Sequence, residues 1–474
     1  NSSIPCDFDV GSYLDSNGKG QETCADVTIW DKWTVTLDTE TPFLNKLIVR
    51  GTLIAQVDAE GTIGIHANLI ELQGGRIVIG NETHPFMGEY AHITLHGDMY
   101  VHGKYCAVPI EYGDEGCWKK MKLNGDLSLN GRPVNGTRTL VEDAPAGSSV
   151  LYLDGSADGW NVGDELIISS SDAGGKPEYH TVQDVWSSAD GSTHTVTLQE
   201  SLAKGKIGKT VDVVDLAAGL NETIDYRATV SLLTRNIEVK GGYDETYDYI
   251  SGVGPDLTDY GGTIRTYEAY SEDKDGWDDS MAGYEVYGQY NYPEGTISML
   301  NYVRFRGMGK QADQYDTLAR EPPIVLLPNM ELTMKGVVLT EPLTGAFFWC
   351  QGTQRSELNQ WQFGADYECS VSTVALTITD SVFVGMSFTF KPYLGITHTV
   401  KNNIFFGGWE CRISCPPQRM IEIGYFTTRE KIRGTWTNVN RPQLSGGLNI
   451  QDNTVHGGFG GWFLTAGCEA YTGD

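Results

Sequence analysis

Apolar residues along this chain alternate with polar ones in short runs, and each run ends in Gly, Asn or Asp. Helical spacing of apolar positions is almost absent. Residues 28–37 (TIWDKWTVTL), 45–54 (NKLIVRGTLI), 66–80 (HANLIELQGGRIVIG) and 91–103 (AHITLHGDMYVHG) each predict one or two strands closed by a bend. No two-residue Asn-Gly hairpin joins these four, so parallel stacked coils fit them better than an antiparallel meander. Between about 126 and 235 the punctuation changes. Residues 148–155 (SSVLYLDG), 164–171 (DELIISSS), 194–201 (HTVTLQES) and 209–216 (KTVDVVDL) predict a compact antiparallel insert, either a sandwich or a barrel. The segment Trp160–Asp164 reads as a packed turn leading into one of those strands.

Five later segments share one grammar: 297–307 (ISMLNYVRFRG), 332–341 (LTMKGVVLTE), 376–385 (LTITDSVFVG), 398–407 (HTVKNNIFFG) and 448–458 (LNIQDNTVHGG). In each, an apolar-x-apolar stretch meets a polar or small bend and turns into a second apolar stretch. The third and fourth begin at 376 and 398, 22 residues apart, about one coil of a three-faced β-helix. Such repeats bury their apolar faces only by stacking on neighbours about 4.8 Å away. Asn and Asp at the bends predict side-chain ladders or left-handed corner residues. The expected fold is all-β: a β-rich first module (1–125), a small antiparallel β insert (126–235) and a right-handed parallel β-helix (236–474).

Composition narrows the function. The chain has 474 residues, 62 acidic against 34 basic, and a formal net charge of −28. That field repels nucleic acid and anionic polysaccharide at long range, so no nucleic-acid partner is expected, and it favours basic partners and cations. No apolar run reaches the roughly 18 residues of a membrane span, and no leader stands at Asn1, so either a signal peptide is expected to have been removed or the segment is cut from a longer chain. Nine cysteines fall as 6/24, 106/117, 350/369 and 411/415, with Cys468 left over. Cys6, Cys24, Cys106, Cys117, Cys350, Cys369, Cys411 and Cys415 are therefore disulfide candidates, and Cys468 a candidate for intermolecular pairing. Sequons at Asn1, Asn81, Asn135 and Asn221 add four glycosylation candidates. Together these point to a secreted or cell-surface glycoprotein.

The stretch from about 27 to 125 resembles the G8 domain. The resemblance is carried by VTLDTETPFLNKLIVRGTLI (35–54), IELQGGRIVIGNETHP (70–85) and AHITLHG (91–97). Three later segments, 160–171, 231–242 and 303–311, are similar to those that follow this domain in fibrocystin, in fibrocystin-L and in hyaluronan-depolymerising members of the family. The resemblance implies an extracellular β-helical protein at a cell surface, the cilium included. The hydrolytic members carry a Gly-Gly-His segment and a Tyr-Pro-Ile-His-Phe-His segment. Here the corresponding places read Tyr260-Gly261-Gly262-Thr263 and Glu321-Pro322-Pro323-Ile324-Val325-Leu326-Leu327. Neither keeps a histidine, the side chain best suited to move protons near neutral pH.

Candidate chemistry is thin elsewhere. Glycoside cleavage needs paired carboxylates, and Asp313 with Asp316, or Asp366 with Glu368, could supply them. In a chain with 62 acidic residues such pairs also arise by chance. Asp452 and His456-Gly457-Gly458 echo pectin-degrading β-helices, although a coil corner explains them as well. Asp273, Asp275, Asp278 and Asp279 alternate around Gly276 as a calcium loop requires, yet without the distal bidentate Glu; calcium is the one cofactor considered. Of His92, His96 and His102, the first two can share a strand face, and ladder positions are expected in preference to a metal site. Tyr284, Tyr287, Tyr290 and Tyr292 form a stacking strip suited to sugar rings or a partner chain.

The function expected from the sequence is an extracellular structural, adhesive or binding glycoprotein. It would assemble with itself or with other matrix or coat proteins, and carbohydrate is a further candidate ligand. Two alternatives stand beside it: a polysaccharide-degrading enzyme with relocated catalytic residues, and a ligand- or calcium-binding ectodomain of a fibrocystin-like receptor.

Overall fold

The computed structural model describes residues 25–96, 100–101, 104–105, 119–172, 175–191, 193–215, 220–241, 261–267, 294–311, 320–321, 323–326, 331–341, 348–350, 375–385, 388–390, 397–406, 419–423, 427–432, 435–440, 447–456 and 460–464. Among these there is no helix. A single 21-stranded sheet pairs parallel from coil to coil, the signature of a β-helix. Its first coils are Ala25–Ile29, Leu44–Val49, Thr62–Ile79 and Lys120–Asn130, stacked in that order along one face. The last of these then pairs with Thr296–Asn301, which pairs with Glu331–Lys335, so coils early and late in the chain are consecutive in space. The coils therefore run to Asn130, and residue 126 lies inside a coil strand rather than at the start of the insert.

Alternation explains the burial. In Glu331–Lys335 the inward residues Leu332 and Met334 are buried between exposed neighbours, and Ala375–Thr379 and Thr397–Lys401 repeat this with Leu376, Ile378, His398 and Val400. One apolar core runs from Ile29 through Ile63, Leu123, Phe305 and Phe383 to Phe405. Phe383 stacks on Phe405 at 5.3 Å between ring centres, one coil apart.

All five repeated segments become pairs of strands that meet at a corner. The corner residue is left-handed in four of them at Tyr302, Asp380, Asn402 and Asp452, with φ between 52° and 55°, and Gly336 takes the same place at 62°. Behind the corner runs a polar ladder. Buried Asn403 donates to Ile378 O and to Asn453 Oδ1, both at 2.9 Å, while its own Oδ1 accepts from Ser381 N at 3.0 Å.

The insert forms an antiparallel six-stranded sheet between Thr137 and Leu232, in the order 137–139, 229–232, 165–168, 178–187, 194–198, 150–153. Its two edges meet where Leu140 pairs with Leu153 and Val141 N donates to Tyr152 O at 3.0 Å, which closes it into a barrel. Leu151, Leu166, Ile168, Val196, Val230 and the packed Trp160 fill its interior. Outside, Ile167 and Leu233 press on Val338, Val382, Val384, Ile404 and Phe406 of the β-helix. Arg235 locks the junction: wholly buried, it donates to Gly336 O (2.8 Å), Leu232 O (3.0 Å) and Thr234 O (2.8 Å).

Candidate functional site

One outer face of the early coils carries a cluster of ionisable side chains. Parallel pairing sets Glu40 above Gly64 and Gly64 above His92, each one coil apart. Gly64 leaves a gap in that column, because a Cβ there would collide with the His92 ring. Glu40 and His92 reach across the gap, and Glu40 Oε1 lies 2.9 Å from His92 Nε2. Two residues along the same strand, His66 Nε2 faces the same carboxylate oxygen at 3.7 Å. The backbone N–H of His66 donates to Thr41 Oγ1 at 3.0 Å, which fastens the loop bearing Glu40.

Each imidazole is also held at its far nitrogen. His92 Nδ1 meets Thr94 Oγ1 at 2.9 Å, and His66 Nδ1 meets His96 Nε2 at 3.0 Å. His96 in turn rests against Phe43, ring centres 4.3 Å apart. Burial, with the neighbouring His92 and His96, pulls His66 down to about 4. Burial also lowers His92, against the opposing pull of Glu40. The hydrogen bond from His92 holds the Glu40 carboxyl below its ordinary range. Near neutral pH the cluster is thus two neutral imidazoles facing one carboxylate, which is the donor state a divalent metal requires.

The polar column continues onto the next coils. Tyr90, beside the His92 ring, donates its hydroxyl to Glu238 Oε2. Glu238 faces Arg304 at 3.7 Å, and Arg304 pairs with Glu165 of the barrel at 2.6 Å. Burial and the Glu238 carboxylate push the Tyr90 phenol up, so it stays a donor.

A second feature lies at a coil corner. A groove of about 460 Å³ is lined by Lys32, Trp33, Arg50, Arg76, Asp126 and Glu294 among others. Trp33 is 57% exposed and Trp30 45%, and the Arg50 guanidinium sits 5.0 Å over the Trp30 ring.

Of the residues singled out in the sequence, His92 and His96 do share this face, joined through His66. Asn81 and Asn135 are exposed, and Asn81 Oδ1 accepts from the Thr83 hydroxyl at 2.9 Å. Asn221 lies on a strand, Leu220–Asp225, and Cys350 on another, Phe348–Cys350. Asn1, His102, Asp273, Asp275, Asp278, Asp279, Asp313, Asp316, Asp366, Glu368, the Tyr284–Tyr292 strip and Cys6, Cys24, Cys106, Cys117, Cys369, Cys411, Cys415 and Cys468 lie outside the described residues. His456 stacks on Phe406 and meets Thr229 Oγ1 of the barrel at 2.8 Å, a docking contact. The two segments that carry histidines in hydrolytic family members are adjacent strands here, with Ile264 paired to Ile324. Thr263, Ile324, Val325 and Leu326 occupy those places and are all buried. The sequence reading missed Glu40 and His66, which its strand-by-strand view left 26 residues apart. The one available signal was Gly64, a glycine amid apolar strand residues that no turn requires.

Comparison with known proteins finds a similarity that spans this face. Residues 16–142 match the G8 domain, and so include Glu40, Gly64, His66, His92 and His96. The chain carries a G8 domain. It is 33% identical over 213 residues to fibrocystin-L of Mus musculus, which covers 44% of this chain and 4% of that protein. It is 28% identical over 220 residues to fibrocystin of Canis lupus familiaris, covering 45% of this chain and 5% of that protein. The aligned part is thus a small fraction of these relatives' length. Among solved structures, the gp54 tailspike of Acinetobacter baumannii bacteriophage AP22 overlaps 87% of this chain and 53% of its own, at 9% identity and a TM-score of 0.17. The gp49 tailspike of Pseudomonas phage LKA1 overlaps 82% and 52%, at 10% identity and 0.17. The parallel pairing of strands from coil to coil is what makes the fold a β-helix. The G8 domain is not a separate body: its coils and those from residue 237 onward share one core.

Proposed function

We propose that this chain is an extracellular binding module of the fibrocystin kind, a rigid rod that holds ligands on its outer faces and performs no hydrolysis. The observation that carries this reading is the groove of Trp33, Lys32, Arg50 and Arg76 beside Trp30. It sets three cations and an exposed indole beside the carboxylates of Asp126 and Glu294, on a chain whose net charge is −28. Aromatic faces stack on sugar rings, and guanidinium groups pair with carboxylates or sulfates, so an acidic glycan is the ligand class that suits it. The surrounding negative field weakens non-specific attraction, which leaves recognition to the groove itself. Exposed Asn81 and Asn135 support placement outside the cell. The similarity to fibrocystin and fibrocystin-L supports its place within a longer ectodomain. Partners of the same kind, matrix or coat proteins or further copies of the chain, belong to this reading.

The chain, secreted from mammalian cells behind a generic leader, should be retained on an immobilised acidic glycan. Replacing Trp33 and Arg50 by Ala together should weaken retention about tenfold or more. Glycosidase treatment should shift its mobility, less so in N81Q and N135Q. Hyaluronan incubated with it should keep its length. Retention unaffected by the double substitution, or shortened hyaluronan, would overturn the reading.

A further inference from the structure

We propose that Glu40, His66 and His92 bind a divalent transition-metal ion of the zinc class, with a fourth coordination position open to solvent. The proposal is independent of the glycan groove. One donor atom from each residue lies within 4.8 Å of the others. Zinc sits about 2.0–2.2 Å from nitrogen and carboxylate oxygen, so tetrahedral donors stand about 3.4 Å apart. The separations of 2.9 Å and 3.7 Å from Glu40 Oε1 to the two Nε2 atoms bracket that value.

Three further observations fit a metal better than a simple polar ladder. First, both imidazoles present the same nitrogen, Nε2, to the same oxygen. Secondly, each Nδ1 faces a partner, Thr94 Oγ1 or His96 Nε2, able to accept a hydrogen bond from Nδ1–H, the tautomer that leaves the Nε2 lone pair for a metal; ligating histidines are commonly held in this way. Thirdly, Gly64 lets the His92 ring lie against its backbone, in the place a Cβ would take, with Nε2 turned to Glu40. His92 is almost wholly buried while the Glu40 side chain is half exposed. The three donors therefore form a shelf open on one side, where a water completes the coordination. Two imidazole nitrogens with one carboxylate select zinc, cobalt, nickel or copper over calcium or magnesium, which prefer all-oxygen sites.

The test uses the whole chain, stripped with chelator and titrated with Co²⁺ while its visible absorption is followed. One equivalent should give the intense band of a four- or five-coordinate ion, and one equivalent of Zn²⁺ should remove it. Excess Ca²⁺ should not. Glu40→Gln, on an exposed side chain, should weaken binding about tenfold or more, Thr94→Val about tenfold, and Gly64→Ala should abolish it. His194→Ala, on the barrel, should leave binding unchanged. Circular dichroism checks that each variant keeps its strand content. Absence of the band in the unaltered chain, or equal Co²⁺ affinity in it and in folded Glu40→Gln and Gly64→Ala, would overturn the proposal; the second outcome would assign the ions to the acidic surface.

Discussion

A histidine that burial keeps neutral makes the folded state sensitive to acid. His66 and His456 are both pulled down to about 4, the second by burial alone. In the unfolded chain they take up protons near pH 6.5. Between pH 6.5 and 4 the unfolded state therefore binds more protons, and stability falls as pH falls through that window. Above it the two groups contribute no slope. Melting temperatures of the metal-free chain from pH 7.5 to 4 should drop mainly below 6.5. His456→Phe, which keeps the stacking on Phe406, should flatten part of that decline. A melting temperature level down to pH 4.5 would contradict the burial argument. The same neutrality makes the His66 and His92 pair available to a metal, so bound Zn²⁺ should shift the melting curve upward at pH 7.5 and have little effect at pH 4.5.

At the scale of the element, the corner between two coil strands is the unit that repeats. Asp380 sits there at φ 55°, a conformation that costs an ordinary residue about 1 kcal/mol and glycine little. Gly336 already occupies the equivalent corner of the preceding coil. Asp380→Gly should therefore change stability by less than about 1 kcal/mol, with relief of strain offset by the freer unfolded chain. Asn403 has no such latitude. Its amide satisfies Ile378 O and its carbonyl satisfies Ser381 N, both shut away from water. Asn403→Ala should cost about 2–4 kcal/mol in a denaturant titration, from two orphaned backbone groups and a small void. A loss under about 0.5 kcal/mol would mean that water replaces the amide. These corners were legible in the sequence: the five repeated segments are the five strand pairs, and the Asp and Asn residues between them are the left-handed positions or the ladder. In the insert, the pattern predicts strands at 148–155, 164–171, 194–201 and 209–216 and leaves sandwich and barrel open; the first three hold barrel strands, and the fourth holds one strand of a separate hairpin with Leu220–Asp225. The edge contact between Leu140 and Leu153 decides for the barrel, and it joins residues whose relation no local pattern encodes.

For the molecule as a whole, the barrel behaves as a buttress. Val384 and Phe406 point out of the β-helix and would be exposed apolar residues on a bare rod, but Ile167 and Leu233 cover them. Ile167→Asp should therefore undock the barrel without unfolding it, because the residue faces away from the barrel's own core. The expected loss is about 2–3 kcal/mol. Denaturant unfolding should then split into two transitions, with faster proteolysis around residues 131–136 and 233–236. A single unshifted transition would show that Arg235 and the Arg304–Glu165 pair hold the junction alone.

Period-two alternation, glycine-ended strands and the repeated corner determine a parallel β-helix by themselves, since those signals are local and each coil repeats them. The family resemblance was equally local, carried by three short segments within residues 35–97. Tertiary structure alone decided that the early coils and the late coils form one stack with one core, because the chain leaves the helix at Asn130 and re-enters near Ile237 after building the barrel. It also decided the Glu40, His66 and His92 cluster. Those residues come from successive coils of unequal length, 24 residues from Glu40 to Gly64 and 28 from Gly64 to His92. A register set by coil stacking does not appear in any spacing along the sequence, so only the fold could bring them to one carboxylate oxygen.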